Sequence, residues 1–378
     1  VLPEYNPVGA SHFGHVTSLL RNLAHDSDLA VIIERAAGPV EIPGAARVIA
    51  QRHRRGLGRL AELFLILWRL SARGYTTVFV RISTPATMVA LAVRYLRGGR
   101  VLVWRSGQGK EFNPPLSLRP AALRHKLLVE LPWRLTLKLV DTFVTGPESM
   151  VDYFVEHWRA DRDRTRVLYN DVDLNWFKRV EDTAVLEAWR QRLGVPPGAR
   201  VVLSVGRISP IRTIDRYLPL VWGRAAAEFD DVHFVYIGGG PDADQVKAAV
   251  RAAGLEARSS FPGRVPLAEL PAVYSLAEVF LLPFFEAGFP RVILEAMAVG
   301  LPLASTDCGG VRDIVPPEQL PLVVDKRRPA ALAAALIAVL SDHALAARLS
   351  AANLARVARY DVRVVAGMYL EVLFGADG

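Results

Sequence analysis

A single cysteine, Cys308, stands in a chain of 378 residues, so no disulfide framework can hold the fold, and a reducing cytoplasm is the expected setting. Long apolar runs are missing as well. The longest, 330–340, falls short of the roughly 18 to 20 residues that a membrane span needs and reads as an alanine-rich helix with polar neighbours. The start carries no signal-peptide pattern; residues 1–3 read as the stub of a first strand, with a few residues expected ahead of it. Aromatic residues are only 8% of the chain, and it has no aromatic-rich RNA signature, zinc spacing or recognition-helix motif, so nucleic acid is not an expected partner. A repeat of fixed period and a low-complexity tail are also lacking.

What is present is apolar residue in quantity, 51%, with 22% charged. At this length two cores are expected rather than one. The net charge of +8 is uneven: residues 1–180 hold 26 Lys and Arg against 16 Asp and Glu, a balance of +10, and the remainder hold 20 against 22, a balance of −2. A basic first half favours anionic partners such as diphosphates or an anionic lipid surface. Two segments in it read as basic amphipathic helices. One, 51–70, pairs Arg52, Arg54 and Arg55 with a stripe of Leu60, Phe64, Leu67 and Trp68; the other, 118–139, sets Arg119, Arg124, Lys126, Arg134 and Lys138 among leucines and Trp133. Each apolar face either packs on a sheet or lies in a bilayer interface, and long basic side chains can flank both arrangements.

Short apolar runs at 29–33, 77–80, 101–104 and 143–146, and again at 201–205, 233–237 and 279–283, alternate with loops and helical stretches. Such alternation predicts an α/β fold with two doubly wound, Rossmann-like domains. Residues 178–183 are polar and charged, as an interdomain linker would be, so the expected domains are 1–180 and 181–359, with the terminal helix within 360–378 returning to the first.

The chemistry concentrates at 284–310, FFEAGFPRVILEAMAVGLPLASTDCGG, directly after the run 279–283. Gly288 and Pro290 supply a turn, and Pro290 suits a helix start, where a missing N–H costs nothing. A helix through Val292, Ile293, Leu294, Ala296 and Met297 follows, and Gly300 with Pro302 stops it. A strand, a tight turn and a helix place unpaired N–H groups and the positive end of a dipole at a sheet's carboxyl edge, which is an anion site.

The string GFPRVILEAMAVGLPLASTDCGG resembles the donor-binding signature of the retaining GT-B glycosyltransferases of the large family 4. The resemblance is close over 140–315 and covers the first domain in outline. It implies GT-B architecture, two Rossmann-like domains facing across a cleft, and transfer of a sugar from a UDP- or GDP-linked donor to an acceptor hydroxyl with retention, without a metal or other cofactor. Gly288, Phe289, Pro290, Arg291 and Val292 then form the donor turn, and Glu295 takes the ribose hydroxyls, although an i,i+4 ion pair with Arg291 would also explain it. Gly206-Arg207 and Arg212, after the run 201–205, match the family's diphosphate-binding basic pair, and Gly263, Arg264 and Val265 its nucleobase segment. Across the cleft, Gly9, Ser11 and His12 lie on the first loop, and Arg105, Ser106 and Lys110 on a loop read as acceptor recognition. The string GQGK in that loop fails as a phosphate loop, because Glu111 stands where Ser or Thr should follow the lysine.

The chain departs from the family at one place. The first of two motif glutamates is Ala287, and the neighbouring Glu286 sits one residue early. Arg207, Arg212 and Glu286 are the expected catalytic groups, with Glu286 required to replace the lost carboxylate; a donor that does not need this contact, or loss of activity, are the alternatives. Asn170-Asp171-Val172-Asp173 resembles the family's boundary motif with Asp171 in a glycine slot, and the Asp-x-Asp pairs 171/173 and 161/163 read as turn chemistry rather than as metal ligands. The leading expectation is a cytoplasmic glycosyltransferase of cell-surface polysaccharide synthesis, peripheral on the membrane and acting on a lipid-linked glycan. Its rival is a catalytically silent subunit of the same fold; an epimerase would need a set of carboxylates and histidines that cannot be identified.

Overall fold

The computed structural model describes residues 1–5, 16–38, 40–107, 120–209 and 214–375, with the side chains of 120–122, 215 and 216 outside the description. Within them the chain forms two compact units, Val1–Tyr169 with Val362–Gly378, and Asn170–Asp361.

Unit one is built on parallel strands. β1 (Ala30–Ile33) pairs with β2 (Arg47–Ala50), and β3 (Thr77–Arg81), β4 (Arg100–Trp104), β5 (Thr142–Thr145) and β6 (Thr165–Val167) follow in spatial order. The inner strands β4 and β5 are buried almost end to end, as parallel strands covered on both faces must be. The first residues knit the two sheets together. Val1 N donates to Phe79 O at 2.6 Å and Leu2 N to Ile32 O at 2.8 Å, while Glu34 N and Arg81 N donate back to Leu2 O and Val1 O. The terminal helix Val362–Phe374 belongs to this unit through its buried face, where Tyr369 meets Phe79 edge-on at 5.7 Å.

The two basic amphipathic segments part ways here. Helix Gly56–Ser71 buries Leu63, Leu67 and Leu70, Phe64 stacks on Trp68, and the Arg97 guanidinium covers Trp68 at 3.8 Å, so its apolar stripe is spent on packing. Arg52, Arg54 and Arg55 precede it in an exposed turn that Glu62 organises by accepting from Arg52 N and His53 N. The second segment forms Pro120–His125, a π-helical turn Lys126–Glu130 and Leu131–Leu139, burying Trp133, Thr136 and Leu137.

Unit two is a six-stranded parallel sheet. Its strands are β7 (Arg200–Val205), β8 (Val232–Ile237), β9 (Ser259–Gly263), β10 (Val279–Leu282), β11 (Leu303–Thr306) and β12 (Val323–Val324), in the order β12-β11-β10-β7-β8-β9. The chain starts in the middle, builds one half outwards, then crosses back to build the other beside β7. Strands β7 and β10 are therefore neighbours whose following loops leave in opposite directions, a switch point where open α/β sheets bind ligands. Residues 170–180, assigned by sequence to the first domain, fall in unit two. Val172 forms a backbone bridge to Asp361 and Phe177 packs edge-on against Tyr274 at 5.3 Å, tertiary contacts that a polar-linker reading of 178–183 does not register.

Candidate functional site: the switch point of unit two

β10 ends at a turn held from both sides. Ser204 Oγ, on β7, donates to Leu281 O at 2.8 Å, and Thr306 Oγ1, on β11, donates to Leu282 O at 3.1 Å. These buried hydroxyls fix the height at which the chain leaves the sheet. The turn runs through Phe284, Glu286 and Ala287 to Pro290, and helix Arg291–Ala298 begins with Pro290 as N-cap. No side chain caps that helix, so its first N–H groups keep their donor capacity. Gly288, Arg291 and Val292 are partly exposed there, while Phe289 and Pro290 are buried beneath them.

Three glycine contacts press the surrounding loops against one another. After β7, Gly206 N donates to Ile237 O at 2.9 Å and Ile208 N to Gly239 O at 3.1 Å. The run Gly238-Gly239-Gly240 is needed for this approach: a Cβ on Gly238 would stand 1.9 Å from Gly206 O, and one on Gly240 1.7 Å from Ile208 O. Gly238 N also donates to Gly263 O at 2.8 Å, which brings in the end of β9. On the other side Gly309, at φ +53°, lies where a Cβ would meet Ala287 O at 2.0 Å. Backbone from the ends of five strands, β7 to β11, is thus packed along the carboxyl edge of the sheet, with Arg207 exposed upon it. Arg264 and Val265 follow β9, the first exposed with its Cγ 3.8 Å from where a Gly239 Cβ would be, the second buried.

Glu295 lies beneath that surface, 7% exposed, and its Oε2 accepts from the fully buried Tyr274 hydroxyl at 2.7 Å. Burial raises the Glu295 carboxyl above the ordinary glutamate range, and the Arg291 charge and the Tyr274 bond only partly oppose it. Burial likewise raises Tyr274 well above the phenol range, with the Glu295 charge adding to it. The Arg291 guanidinium makes its ion pair elsewhere, placing Nη1 3.3 Å from Oδ1 of the buried Asp171. The helical i,i+4 spacing of Arg291 and Glu295 suggested a pair, but a tertiary carboxylate is the partner within ion-pair distance. Asn170 adds a second tie, with Nδ2 donating to Phe289 O at 3.1 Å. Asn170 and Asp171 therefore brace the turn at 288–291, which is what an aspartate at position 171 accomplishes. Asp173 and Asp161 each accept from the amide two residues on, as turn carboxylates do.

Glu286 is buried, with 7% of its surface exposed, while Ala287 beside it is partly exposed. Of the remaining expected site residues, Arg212, Gly9, Ser11, His12 and Lys110 lie outside the described residues. Arg105 and Ser106 lie in unit one at the carboxyl end of β4, Arg105 buried with its guanidinium 4.6 Å from the Trp133 ring. The same edge carries groups that no motif marks. Arg81 ends β3 over Trp104 at 4.3 Å, Ile82 is held at φ +68°, and Ser83 Oγ donates to the buried Glu34 carboxylate at 3.1 Å, with Arg59 3.7 Å from it. A β-branched residue in the left-handed region is strained, and strain of this kind concentrates at functional sites. Its cause is tertiary, because Ile82 N donates to Trp104 O. A cavity of about 640 Å³ in unit one opens instead among the amino ends of β1, β3 and β4, the edge away from where such sheets bind ligands.

Residues 186–356 match the family described as glycosyl transferases group 1. A D-inositol 3-phosphate glycosyltransferase of Corynebacterium glutamicum (strain R) is 33% identical over 208 residues, 53% of this chain and 48% of that protein. One from Thermobispora bispora is 30% identical over 247 residues, 62% and 56% of the two chains. The chain spans about half the length of the curated relatives it matches. Over the whole fold it is similar to sucrose-phosphate synthase from Thermosynechococcus elongatus, at 21% identity, a TM-score of 0.79 and full coverage of both chains. It is also similar to Anabaena HepE in complex with UDP-glucose, at 19% identity, a TM-score of 0.75 and 98% coverage of each. The architecture is the GT-B fold of those glycosyltransferases.

Proposed function

We infer, for a chain whose residues 186–356 belong to the glycosyl transferases group 1 family, that the whole protein is a retaining glycosyltransferase that uses a nucleoside diphosphate sugar. The observation that carries this is the switch-point surface of unit two, where an exposed arginine, an uncapped helix start and a buried carboxylate converge on closely packed glycine backbone. A nucleoside diphosphate has complementary parts. Its phosphates suit Arg207, Arg212 and the amides at the start of helix Arg291–Ala298, its ribose hydroxyls suit Glu295, and its base suits the backbone at Gly263 to Val265. In the reaction the bond from the anomeric carbon to the diphosphate oxygen breaks, the acceptor oxygen bonds to that carbon on the same face, and the acceptor proton leaves with the diphosphate. Negative charge grows on the diphosphate as the bond breaks. Fixed cations and N–H dipoles stabilise that charge more than the ground state, which is how binding becomes rate.

The acceptor in this reading carries phosphate. The basic balance of residues 1–180 favours an anionic group, and the inositol phosphate named for the curated relatives is one. A lipid-linked phosphoglycan intermediate of surface-polysaccharide synthesis combines that charge with the apolar helix face described below, and it implies a cytoplasmic protein peripheral on the membrane. The test is turnover of UDP- and GDP-sugars by the purified protein with soluble phosphopolyols and with lipid-linked phosphoglycans. Release of diphosphate with sugar on an acceptor is expected. Ala287 supports a second reading, a silent binding subunit, because alanine supplies no carboxylate to the donor sugar; nucleotide binding without turnover on any donor would establish it.

A further inference from the structure

The segment 120–139 leaves an apolar face uncovered. Leu123, Leu127, Leu128, Leu131, Leu135 and Leu139 are between 44% and 64% exposed, while Trp133, Thr136 and Leu137 on the opposite face are buried in the unit-one core. Five of these leucines recur every fourth residue. In an uninterrupted α-helix of 3.6 residues per turn such a series drifts steadily around the axis. The π-helical turn Lys126–Glu130 accommodates one more residue per turn and counters that drift in the middle of the series. The result is a leucine stripe of roughly 24 Å along one side of the segment, by the helical rise of 1.5 Å per residue. Arg124, Lys126, Arg134 and Lys138 are exposed around it. The one carboxylate of the segment, Glu130, is partly buried beside His125 at 3.7 Å.

We propose that this stripe docks unit one on an anionic lipid bilayer, lying in the interface with its leucines in the acyl boundary and its cations among the headgroups. Charge complementarity selects the partner. A protein partner or second copy would need acidic groups to meet four cations, and this chain's basic first half offers it none in excess, whereas an anionic leaflet supplies negative charge at every position. The face lies along the membrane rather than across it, since among the described residues no single helix is long and apolar enough to span one. Helix Gly56–Ser71, similar in composition, does not share the role because its stripe is packed.

This deepens the lipid-linked acceptor reading, yet it is tested with neither donor nor acceptor, so failure of one does not mimic failure of the other. The full chain is sedimented with vesicles of phosphatidylcholine alone and of equal parts phosphatidylcholine and phosphatidylglycerol. Binding to the anionic vesicles that weakens with salt is expected. Leu127→Ser/Leu131→Ser should abolish it at unchanged thermal stability, because both side chains are already in water in the free protein. Arg124→Gln/Arg134→Gln/Lys138→Gln should weaken it roughly a hundredfold on anionic vesicles, from the worth of each cation near such a surface. Absence of binding by the parent chain, binding unaffected by the leucine changes, or a chain dimer in light scattering that the leucine changes dissociate while vesicle binding persists, would each overturn the proposal.

Discussion

Tyr274→Phe removes one oxygen from the interior of unit two and tests the part of the site that no motif identifies. The hydroxyl donates to Glu295 Oε2 at 2.7 Å, with Tyr274 fully buried and Glu295 7% exposed. A hydrogen bond to a charged group contributes about 1.5–3 kcal/mol, and a buried carboxylate left short of a donor carries its desolvation cost unrelieved. The variant should therefore unfold about 1.5–3 kcal/mol more easily at neutral pH. Its pH dependence follows from the direction of the Glu295 shift. Burial places the folded pKa above the unfolded one, so the carboxyl's favourable contribution is full below the unfolded pKa and is lost as pH rises through the folded pKa. The Tyr274 bond limits that loss by lowering the folded pKa, and removing it raises the pKa further. The deficit of the variant should thus be small at acidic pH, where Glu295 is protonated in both proteins, and should grow toward neutral pH. Urea unfolding across that range measures it. A deficit of constant size would show that the lost stability is packing alone, and no deficit would remove the bond from the energetics. Because the same carboxylate is proposed to receive ribose hydroxyls, nucleoside and nucleoside diphosphate should lose affinity by a similar factor.

Arg207→Ala should behave in the contrasting way in calorimetry, weakening nucleoside diphosphate binding at least tenfold while leaving the nucleoside nearly unchanged, as expected for loss of about 1.5–3 kcal/mol of charge-assisted hydrogen bonding; equal loss for both ligands would take Arg207 out of the phosphate site. Gly240→Ala places a methyl group 1.7 Å from Ile208 O, so the β7 loop must move; nucleotide affinity should fall markedly with the unit still folded by circular dichroism, and unaltered affinity would show that the backbone contact does not shape the site. Asp171→Ala strips the carboxylate from a largely buried pair with Arg291, which should cost about 3 kcal/mol of stability and lower donor affinity through the loosened turn; thermal unfolding unchanged from the parent would refute the bracing role.

The motifs were legible because they are local. Val201 to Val205 and Val279 to Leu282 read as strands since central parallel strands are apolar on both faces, and Gly288-Phe289-Pro290 reads as a turn since only such residues make one. Strands β2, β6, β9 and β12 escaped notice for the complementary reason: each is an outer strand of its sheet, half-exposed or only two or three residues long, and β9 even contains Pro262, which an edge tolerates and a central strand does not. The same logic separates the two amphipathic helices. Composition made them alike, and only the neighbouring elements decided that one stripe is spent on Trp68 and Arg97 while the other faces solvent.

By itself the amino-acid sequence determined two α/β units and the strand, turn and helix over 279–298, because propensity, periodicity and turn residues act over a few positions; the roles expected at 206–207 and 263–265 came from resemblance to a family. The tertiary structure alone decided that Arg291 pairs with Asp171, that Tyr274 reaches Glu295, that Gly238, Gly240 and Gly309 are points of close backbone approach, and that Ile82 is strained against Trp104. Those contacts join residues from 21 to 120 positions apart. Distance in the chain carries no information about them; they follow from sheet order, which in unit two returns β10 to the side of β7 and in unit one sets β3 beside β4.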